Sequence, residues 1–418
     1  MAEPSAAAHK QYELEDPSAP SWRRHRRHLL IFSSAGKPIF SRFGEVAKLG
    51  SLVATLKAAV GAALAQDDEL LYLHAGAHTV VFLPRGPITL VAASSCGDTV
   101  AYLSSQLQMM HLQLLSVLTS KVEEVFVQDA SFDLRPLLGG TDRLMRALIS
   151  QAAVSPSFLL NALPSVCMSP DLRADLTRLL VESRPPSLLF ALMISRGRLV
   201  TMLSAKPAVL APSDALLLVN AVASSSSDAG QFREDQSWLP ICLPQYNPRE
   251  FVYAHISYIA ESLCLVLISP KGDAFPELSA HRDVAVDRLA PMLPALRDAL
   301  ASPLPTMQPV APELFHFVFK LRSAGQYTSP RIPPSNPYAQ RTALKRLHCQ
   351  YQLAHARLHA AKYVGESCWT TKHKMCRRPL PHLFLHTPVL PHTSIRSCSR
   401  AMALWPPQVA SHCASIFT

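Results

Sequence analysis

Residues 28–45 read HLLIFSSAGKPIFSRFGE, and this stretch sets the fold of the chain. The runs 28–34 and 38–43 are short, apolar and rich in β-forming residues, and a turn centred on Gly36 separates them. Two such runs around a glycine-containing turn predict a β-hairpin. We therefore expect the folded part of the chain to begin with two paired strands.

The segment after this hairpin predicts a helix and then three more strands. Apolar residues recur at spacings of three and four over 46–65, which is the period of an amphipathic helix. Asp98 can cap a long helix that ends near Thr119, and a shorter helix is predicted at 134–151. Between the first two helices lie three strand-like runs, at 69–75, 78–83 and 87–93. The predicted order of this unit is β-β-α-β-β-β-α.

The same pattern starts twice more along the chain. The three starts share one layout of strand, glycine turn and strand, and read IFSSAGKPIF, LMISRGRLVT and FKLRSAGQYT. The second start, at 188–204, leads to a helix at 213–223, three more strand-like runs and a helical region over 276–301. The third, at 314–329, leads to a helix over 336–360. Repeated units of this kind place helices across antiparallel sheets, so the sequence predicts an α+β fold.

Composition indicates a globular protein and argues against a nucleic-acid binder. Hydrophobic residues make up 49% of the 418 residues and charged residues 17%, which is enough to bury two or three cores. The net charge is +10, but the whole excess lies in residues 331–418, where Glu366 is the single acid. The rest of the chain is close to neutral, so no nucleic-acid partner is indicated.

Targeting and redox signals favour the cytoplasm. Residues 1–17 are polar and acidic, unlike a signal peptide, and the longest apolar runs, such as 187–195 and 262–269, are strand-sized. We therefore expect no membrane span. The nine cysteines form no close C-x-x-C pair, which is typical of free thiols in a reducing compartment.

These signals divide the chain into five segments. We expect a disordered amino-terminal segment (1–26), a first domain (27–155), a second domain (185–305) and an incomplete third domain (312–361). Residues 362–418 are rich in proline, histidine, cysteine and basic residues and show no periodic pattern. We predict an irregular, disordered basic tail there, so that the third domain is truncated after its first helix.

Several blocks of the chain resemble one known family. The block 28–45 resembles the opening signature of the SAND or vacuolar fusion protein Mon family, and 73–91 resembles its second block. Further similar blocks follow in the family's order, at 241–248, 251–254, 314–320, 326–330 and 347–359. The resemblance implies repeated longin domains, which are antiparallel five-stranded sheets with helices packed on them.

The resemblance also implies a function. Family members pair with a second subunit of three longin domains, the Ccz-type partner. The pair acts as a guanine-nucleotide exchange factor for a late-endosomal or vacuolar Rab GTPase, in endosome maturation and fusion with the vacuole or lysosome. The implied location is the cytoplasm, peripherally on endosome or vacuole membranes. The alternative is a longin-type adaptor or scaffold subunit without exchange activity, which a truncated third domain would favour.

In the family the first helix of the first longin domain and the adjacent strand ends contact the GTPase. Here that region is about 41–57. The residues expected on its exposed face, as GTPase-binding candidates, are Arg42, Glu45, Lys48, Ser51, Thr55 and Lys57. An ordinary solvated helix face explains most of them individually.

One basic cluster precedes the first strand, and its arginines are Arg23, Arg24, Arg26 and Arg27. Each arginine near an anionic membrane surface contributes about 1 kcal/mol of attraction, so we expect this cluster to face a membrane. The other reading is a solvated lead-in to the first strand.

No motif in the chain predicts covalent chemistry. The phosphate-loop pattern fails at Gly36, because Ile31 stands where its first glycine belongs and Pro38 where it needs Ser or Thr. No G-x-S-x-G sequence is present, and Cys368 and Cys376 are spaced too widely for a typical structural zinc site. We therefore expect no catalytic residue, no metal and no cofactor.

Overall fold

The structure is a computed structural model that describes residues 15–129, 132–138, 141–182, 184–225, 236–260, 262–301, 316–330, 332, 334–360 and 382–386. The chain divides into two compact units, Met1–Ala153 and Val154–Thr418. The first unit holds one sheet and the second holds two. Each unit is described separately below.

The first unit is built on a five-stranded antiparallel sheet with the strand order β2-β1-β5-β4-β3. Its strands are β1 (Arg27–Ser33), β2 (Pro38–Ser41), β3 (Tyr72–Ala75), β4 (His78–Arg85) and β5 (Ile88–Ser94). The turn between β1 and β2 contains Gly36 at φ +83°, a conformation that glycine adopts without steric cost. The predicted hairpin and the three later strands are confirmed.

Helices cover both faces of this sheet. One face carries α2 (Gly50–Leu64), which follows a 3₁₀ turn at Val46–Leu49. This helix packs on a cluster that contains Leu30, Phe32, Phe82 and Val91. The other face carries α3 (Val100–Leu118), whose leucines Leu103 and Leu107 are fully buried. Shorter helices complete the unit, namely α1 (Pro20–Arg23), α4 (Val122–Gln128) and α5 (Asp142–Val154). Thr99, rather than the predicted Asp98, caps α3 by accepting a hydrogen bond from the Tyr102 backbone N–H.

The segment before β1 is folded where the structure describes it. Residues 15–26 contain α1, and the Glu15 carbonyl accepts a hydrogen bond from the Glu45 backbone N–H at 3.0 Å. The expectation of disorder over 1–26 is therefore wrong for residues 15–26. The segment is held by contacts with the stretch from Phe43 to Glu45, which leave no periodic signal in the sequence.

The second unit begins with a five-stranded antiparallel sheet of the same topology, with the order β8-β7-β11-β10-β9. Its strands are β7 (Phe190–Ser195), β8 (Arg198–Ser204), β9 (Gln236–Leu243), β10 (Asn247–Ala260) and β11 (Leu263–Ser269). The first and second sheets thus repeat one arrangement, and the predicted α+β architecture is confirmed.

Helices again cover both faces of the second sheet. The cluster on one face includes Leu176, Leu180, Leu278 and Leu289, which come from α7 (Pro170–Glu182) and α9 (Phe275–Leu289). A 3₁₀ turn separates α9 from α10 (Leu293–Ala301), so the predicted helical region over 276–301 is two helices. Between β8 and β9 lies α8 (Pro212–Ser225), in the same topological position as α2 of the first unit.

A third, smaller sheet completes the second unit, with the order β14-β12-β13-β6. Its strands are β6 (Leu163–Pro164), β12 (Phe317–Leu321), β13 (Gln326–Thr328) and β14 (His382–His386). Helix α11 (Arg341–Ala360) packs on it through Leu347 and Tyr351. The strand β14 lies within 362–418, where we expected an irregular tail; the rest of that range is outside the described residues.

A short connecting segment joins the second and third sheets. Leu163 and Ser165 donate backbone hydrogen bonds to Gly325 and Tyr327, and Val166 donates one to the Leu199 carbonyl at 2.8 Å. In the preceding helix, α6 (Ser157–Leu160), the Leu160 carbonyl accepts a hydrogen bond from the Lys320 ammonium group. The edges of β8 and β13 are therefore both occupied by one stretch of main chain.

Candidate functional site

One side of helix α2 packs on the sheet, and the other side is exposed. Val53 is its one buried residue, and Leu52, Leu56 and Val60 lie half-buried against the sheet cluster. On the opposite side Ser51, Thr55, Ala58 and Ala62 are exposed at helical spacing. This outer stripe consists of small side chains, so another surface can approach the helix closely.

Among the described residues, Val46–Leu64 is the single helical stretch whose length and apolar composition would suffice to cross a membrane. We expected no such segment. Only 11% of it is buried in the structure, and its inner side packs on the sheet. Its apolar character therefore reflects sheet packing on one side and an unusually apolar exposed surface on the other.

The neighbouring edge strand extends this exposed surface. β3 lies at the edge of the first sheet, and beside it Leu71 and Tyr72 are 54% and 50% exposed. Leu64, the last residue of α2, is 60% exposed. We call the exposed side of α2, together with Leu64, Leu71 and the open edge of β3, the α2/β3 surface. Tyr72 pairs with Val81 and lies on the opposite face of the sheet from α2. Open strand edges and exposed apolar residues are typical of a surface that another chain covers.

The structure places the six GTPase-binding candidates in three environments. Ser51, Thr55 and Lys57 are exposed on α2, and the Thr55 hydroxyl donates to the Ser51 carbonyl at 3.0 Å. Glu45 and Lys48 form an ion pair of 2.9 Å in the turn before the helix. These five residues surround the beginning of the α2/β3 surface.

Arg42 differs from the other five candidates. It follows β2, is half-buried, and its guanidinium lies over the ring of Phe43 at 4.9 Å from the ring centroid. Burial lowers the pKa of Arg42, and the positive charge of Arg27 lowers it further, to about 10. Arg42 therefore does not lie on a solvated helix face as the sequence suggested.

An amino-terminal segment, 15–26, packs beside the start of α2. The Trp22 indole donates to the Phe43 carbonyl at 3.0 Å, and the ring of His25 stacks on Phe43 with centroids 3.8 Å apart. The His25 Nε2 atom lies 2.6 Å from a Glu15 carboxylate oxygen. We call this group of contacts the Trp22 clasp. Sequence reasoning missed it, although an isolated tryptophan in a polar lead-in was a usable signal.

The four arginines of the basic cluster lie in two different environments. Arg23, Arg24 and Arg26 are exposed, as a membrane-facing role requires. Arg27 is not available for this role, because its guanidinium is bound to the buried Asp98 carboxylate at 2.6 Å. The sequence grouped Arg27 with its neighbours because it is adjacent in the chain, whereas strand β1 turns its side chain inward.

The second unit supplies an internal comparison for the bare helix. In α8, the counterpart of α2, every residue from Ser213 to Val222 is buried. The third sheet contributes to this cover, since a Cβ at Gly325 would lie 2.5 Å from the Pro212 ring. The copy in the second unit is thus buried within its own unit, while α2 is exposed among the described residues.

Several buried thiols and imidazoles in the described residues are held neutral. Burial raises the pKa of the Cys242 and Cys264 thiols to about 12, and lowers the pKa of His255 and His316 to about 4. Thiols with raised pKa values are poor nucleophiles. Within the described ranges no group of three or more metal-ligating side chains comes together.

The fold defines a class: a protein built from repeated longin-type modules. Family models for the first, second and third longin domains of FUZ, MON1 and HPS1 match residues 27–148, 186–287 and 313–406. The match to the third domain extends beyond 361, where we expected that domain to end. The three longin domains predicted from the resemblance are confirmed, and in the described residues the third has the smaller sheet.

Curated relatives narrow this class to one family. The chain is 36% identical over 386 residues to the vacuolar fusion protein MON1 homolog A of Bos taurus, covering 88% of this chain and 68% of that protein. It is 35% identical to the human homolog A, with 88% and 58% covered, and 34% identical to the protein SAND of Takifugu rubripes, with 82% and 66% covered. The chain belongs to the MON1/SAND family of trafficking proteins.

Proposed function

We propose that this chain is the MON1-type subunit of a heterodimeric guanine-nucleotide exchange factor for a late-endosomal or vacuolar Rab GTPase. Its partner is a second subunit of three longin domains, of the Ccz type. The observation that carries the proposal is the contrast between the bare helix α2 and the enclosed helix α8. Since α8 is buried within its own unit and its first residue Pro212 meets the turn of the third longin domain, we propose that a longin-type domain of another chain covers α2.

The area of a typical stable interface indicates how much of the α2/β3 surface the partner would cover. Each partner in a typical complex contributes about 800 Å² of buried surface. A helix of 15 residues is only about 22 Å long, so α2 supplies part of that area. The open edge of β3, with the exposed Leu71 beside it, extends the contact. We propose that the Ccz-type subunit covers this α2/β3 surface.

The GTPase is proposed to bind where the partner's surface meets the beginning of α2. Glu45, Lys48, Ser51, Thr55 and Lys57 are accessible there, and Arg42 lies directly beside them. Exchange requires no bond to be made or broken in the protein. A surface that binds the nucleotide-free GTPase more tightly than the loaded form weakens nucleotide binding by the same factor. It does so by favouring another arrangement of the GTPase switch loops.

The alternative function is an adaptor or scaffold subunit without exchange activity. The observation that favours it is the third sheet, which in the described residues has four strands, one of them only two residues long. If the third domain limits assembly, the chain would bind partners through its first two domains without completing an exchange-competent complex.

A paired experiment separates the two functions. The full chain is mixed with a full-length Ccz-type subunit, and both co-purification and release of fluorescent GDP from the late-endosomal Rab are measured. Exchange factor activity requires co-purification and faster release. Co-purification without faster release identifies an adaptor, and no co-purification contradicts both proposals.

Membrane association is proposed to involve Arg23, Arg24 and Arg26. All three are exposed beside the Trp22 clasp, which fixes their position relative to the first domain. Changing all three to serine should reduce flotation with vesicles that contain anionic lipid. Equal flotation of the variant and the natural chain would remove this part of the proposal.

A further inference from the structure

Two histidines lie about one turn apart near the end of helix α11. His355 and His359 are separated by four positions, and the centres of their imidazole rings are 4.1 Å apart with the ring planes tilted by 41°. Both side chains are half-buried. Histidines at positions i and i+4 of a helix point to the same face, and such a pair can hold one metal ion between its two rings.

The separation of the two rings is close to what one metal ion requires. A zinc ion lies about 2.0–2.1 Å from each histidine nitrogen, so two rings bound to it in tetrahedral geometry have centres about 5 Å apart. The observed separation is 4.1 Å. Small rotations of the two side chains within their rotamer wells provide the difference, so the helix backbone can stay in place.

His355 is in the protonation state that a metal ligand needs. Burial lowers its pKa, and the charges of His359 and Lys320 lower it further, to about 4. At neutral pH a metal ion therefore finds a neutral imidazole and does not have to displace a proton from it.

One nitrogen of the pair also lacks a partner. The Nδ1 atom of His355 is buried and makes no hydrogen bond within the described residues. A buried polar atom of this kind in a folded protein indicates a bound water or ion. The other nitrogen of each ring is left to its own partners, as is usual in metal-bound histidines.

The ligands of the pair select the class of ion. Among the residues that the structure describes, no third histidine, cysteine or carboxylate joins the two histidines, so both protein ligands are imidazole nitrogens. Imidazole suits nickel, copper and zinc, whereas magnesium and calcium require oxygen ligands. We propose that His355 and His359 form an open binding site for one divalent transition-metal ion, whose remaining coordination positions are taken by water.

The proposed site binds an ion and carries no chemistry of its own. In the helical zinc motif of metalloproteases a glutamate follows the first histidine and acts as the general base. Here Ala356 stands at that position. The bound ion instead links two turns of α11, the helix that packs on the third sheet through Leu347 and Tyr351. It therefore stabilises the folded chain, and this role is independent of the proposed exchange function.

The site is tested on the full chain, freed of metal with a chelator, by equilibrium dialysis against zinc and by thermal unfolding in zinc chloride or magnesium chloride. Zinc should raise the unfolding temperature of the natural chain, and magnesium should not. His359→Gln should weaken zinc binding at this site by about 10²-fold, because the second ligand of a chelating pair binds within one molecule. His359→Cys should keep the binding, since a thiolate is also a zinc ligand.

A matched control and a spectroscopic readout complete the test. His74→Gln removes an exposed histidine of the first unit and should bind as much zinc as the natural chain. With copper, the electron paramagnetic resonance spectrum of the natural chain should show coupling to two nitrogen ligands at this site, and that of His359→Gln to one fewer. If His359→Gln binds zinc like the natural chain, or if His359→Cys fails to keep the binding, there is no metal site at this pair.

Discussion

Trp22 closes directly over Gly44. A Cβ built on Gly44 would lie 2.8 Å from the indole Nε1 of Trp22 and 3.2 Å from the Glu15 carbonyl. The backbone of Gly44 has φ +86°, which side chains rarely adopt. The amino-terminal segment and the start of the candidate surface therefore meet at a position that only glycine fills without strain.

Gly44→Ala should destabilise the first domain and release the segment 15–26. The left-handed backbone costs about 1–2 kcal/mol for a residue with a Cβ, and the indole must move as well. Urea unfolding and the tryptophan fluorescence spectrum measure the two effects. The matched control is Trp22→Ala, in whose background Gly44→Ala should cost less, because the two residues are in contact. Equal stability of Gly44→Ala and the natural chain would show that Trp22 does not close over Gly44 in solution.

Asp98→Asn should be among the most damaging single changes in the first domain. Asp98 is buried and receives hydrogen bonds from Arg27 and from the Ser94 hydroxyl at 2.5 Å. Removing one partner of a buried ion pair typically costs about 3–5 kcal/mol, because the other charge stays buried. Chemical denaturation gives the value.

Asp133→Asn is the matched control for Asp98. Asp133 pairs with Arg135 at 2.6 Å, but both side chains are exposed, and such pairs contribute about 0–1 kcal/mol. The side-chain hydrogen bond from Arg135 lowers the pKa of Asp133 to about 2, so the pair is fully ionised at neutral pH. If the two variants lost similar stability, the buried position assigned to Asp98 would be wrong.

Asp214 predicts a pH dependence in the second unit. Its carboxylate accepts backbone hydrogen bonds from Gln245 and Tyr246, but burial raises its pKa from 3.8 to about 6. The native state therefore binds a proton more tightly than the unfolded chain. The contribution of this group to stability is complete below about pH 4 and is lost as the pH rises through 6.

Acidification from pH 7 to pH 5 should thus stabilise the natural chain relative to Asp214→Asn. With a pKa of about 6, the change between pH 7 and pH 5 is on the order of 1.4 kcal/mol, the free energy of one pKa unit. Urea midpoints of both proteins at both pH values isolate the effect, because other titrating groups are common to the two. A difference between them that stays constant with pH would contradict the raised pKa of Asp214.

Much of the fold was predictable because it is encoded locally. Gly36 and Gly197 sit at φ +83° and +73° between apolar runs, and each marks a hairpin that the sequence indicates. The helix predicted at 46–65 is observed over Val46–Leu64, including its first 3₁₀ turn. The period of its apolar residues also indicated which side would hold the sheet.

The features that sequence reasoning missed depend on contacts between distant residues. The Trp22 clasp joins residues about twenty positions apart, and the two-residue strand β6 pairs with β13 across more than 160 positions. Neither of these contacts produces a periodic pattern of apolar residues in the sequence. The same holds for the site residues. The exposed positions of Ser51 and Thr55 could be predicted from helical spacing. The inward positions of Arg27 and Arg42 could not, because they depend on how β1 and β2 are placed in the sheet.

Substitutions on the exposed side of α2 should weaken binding of a partner without lowering the stability of the chain. Ala58 and Ala62 are exposed, so Ala58→Arg with Ala62→Arg should leave the unfolding temperature of the chain almost unchanged, while blocking the close approach of a partner. The matched control is Val127→Arg, at an exposed residue of α4 in the same unit. A large loss of stability in the double variant would show that α2 is covered within this chain.

The proposed exchange function is tested most directly by GDP release from a late-endosomal Rab by the full chain together with a Ccz-type subunit, its proposed partner. The natural chain and Val127→Arg should co-purify with the partner and accelerate release equally. The Ala58→Arg, Ala62→Arg variant should lose the partner and the acceleration together. Full co-purification and undiminished release with that variant would contradict the assignment of the α2/β3 surface as the docking face.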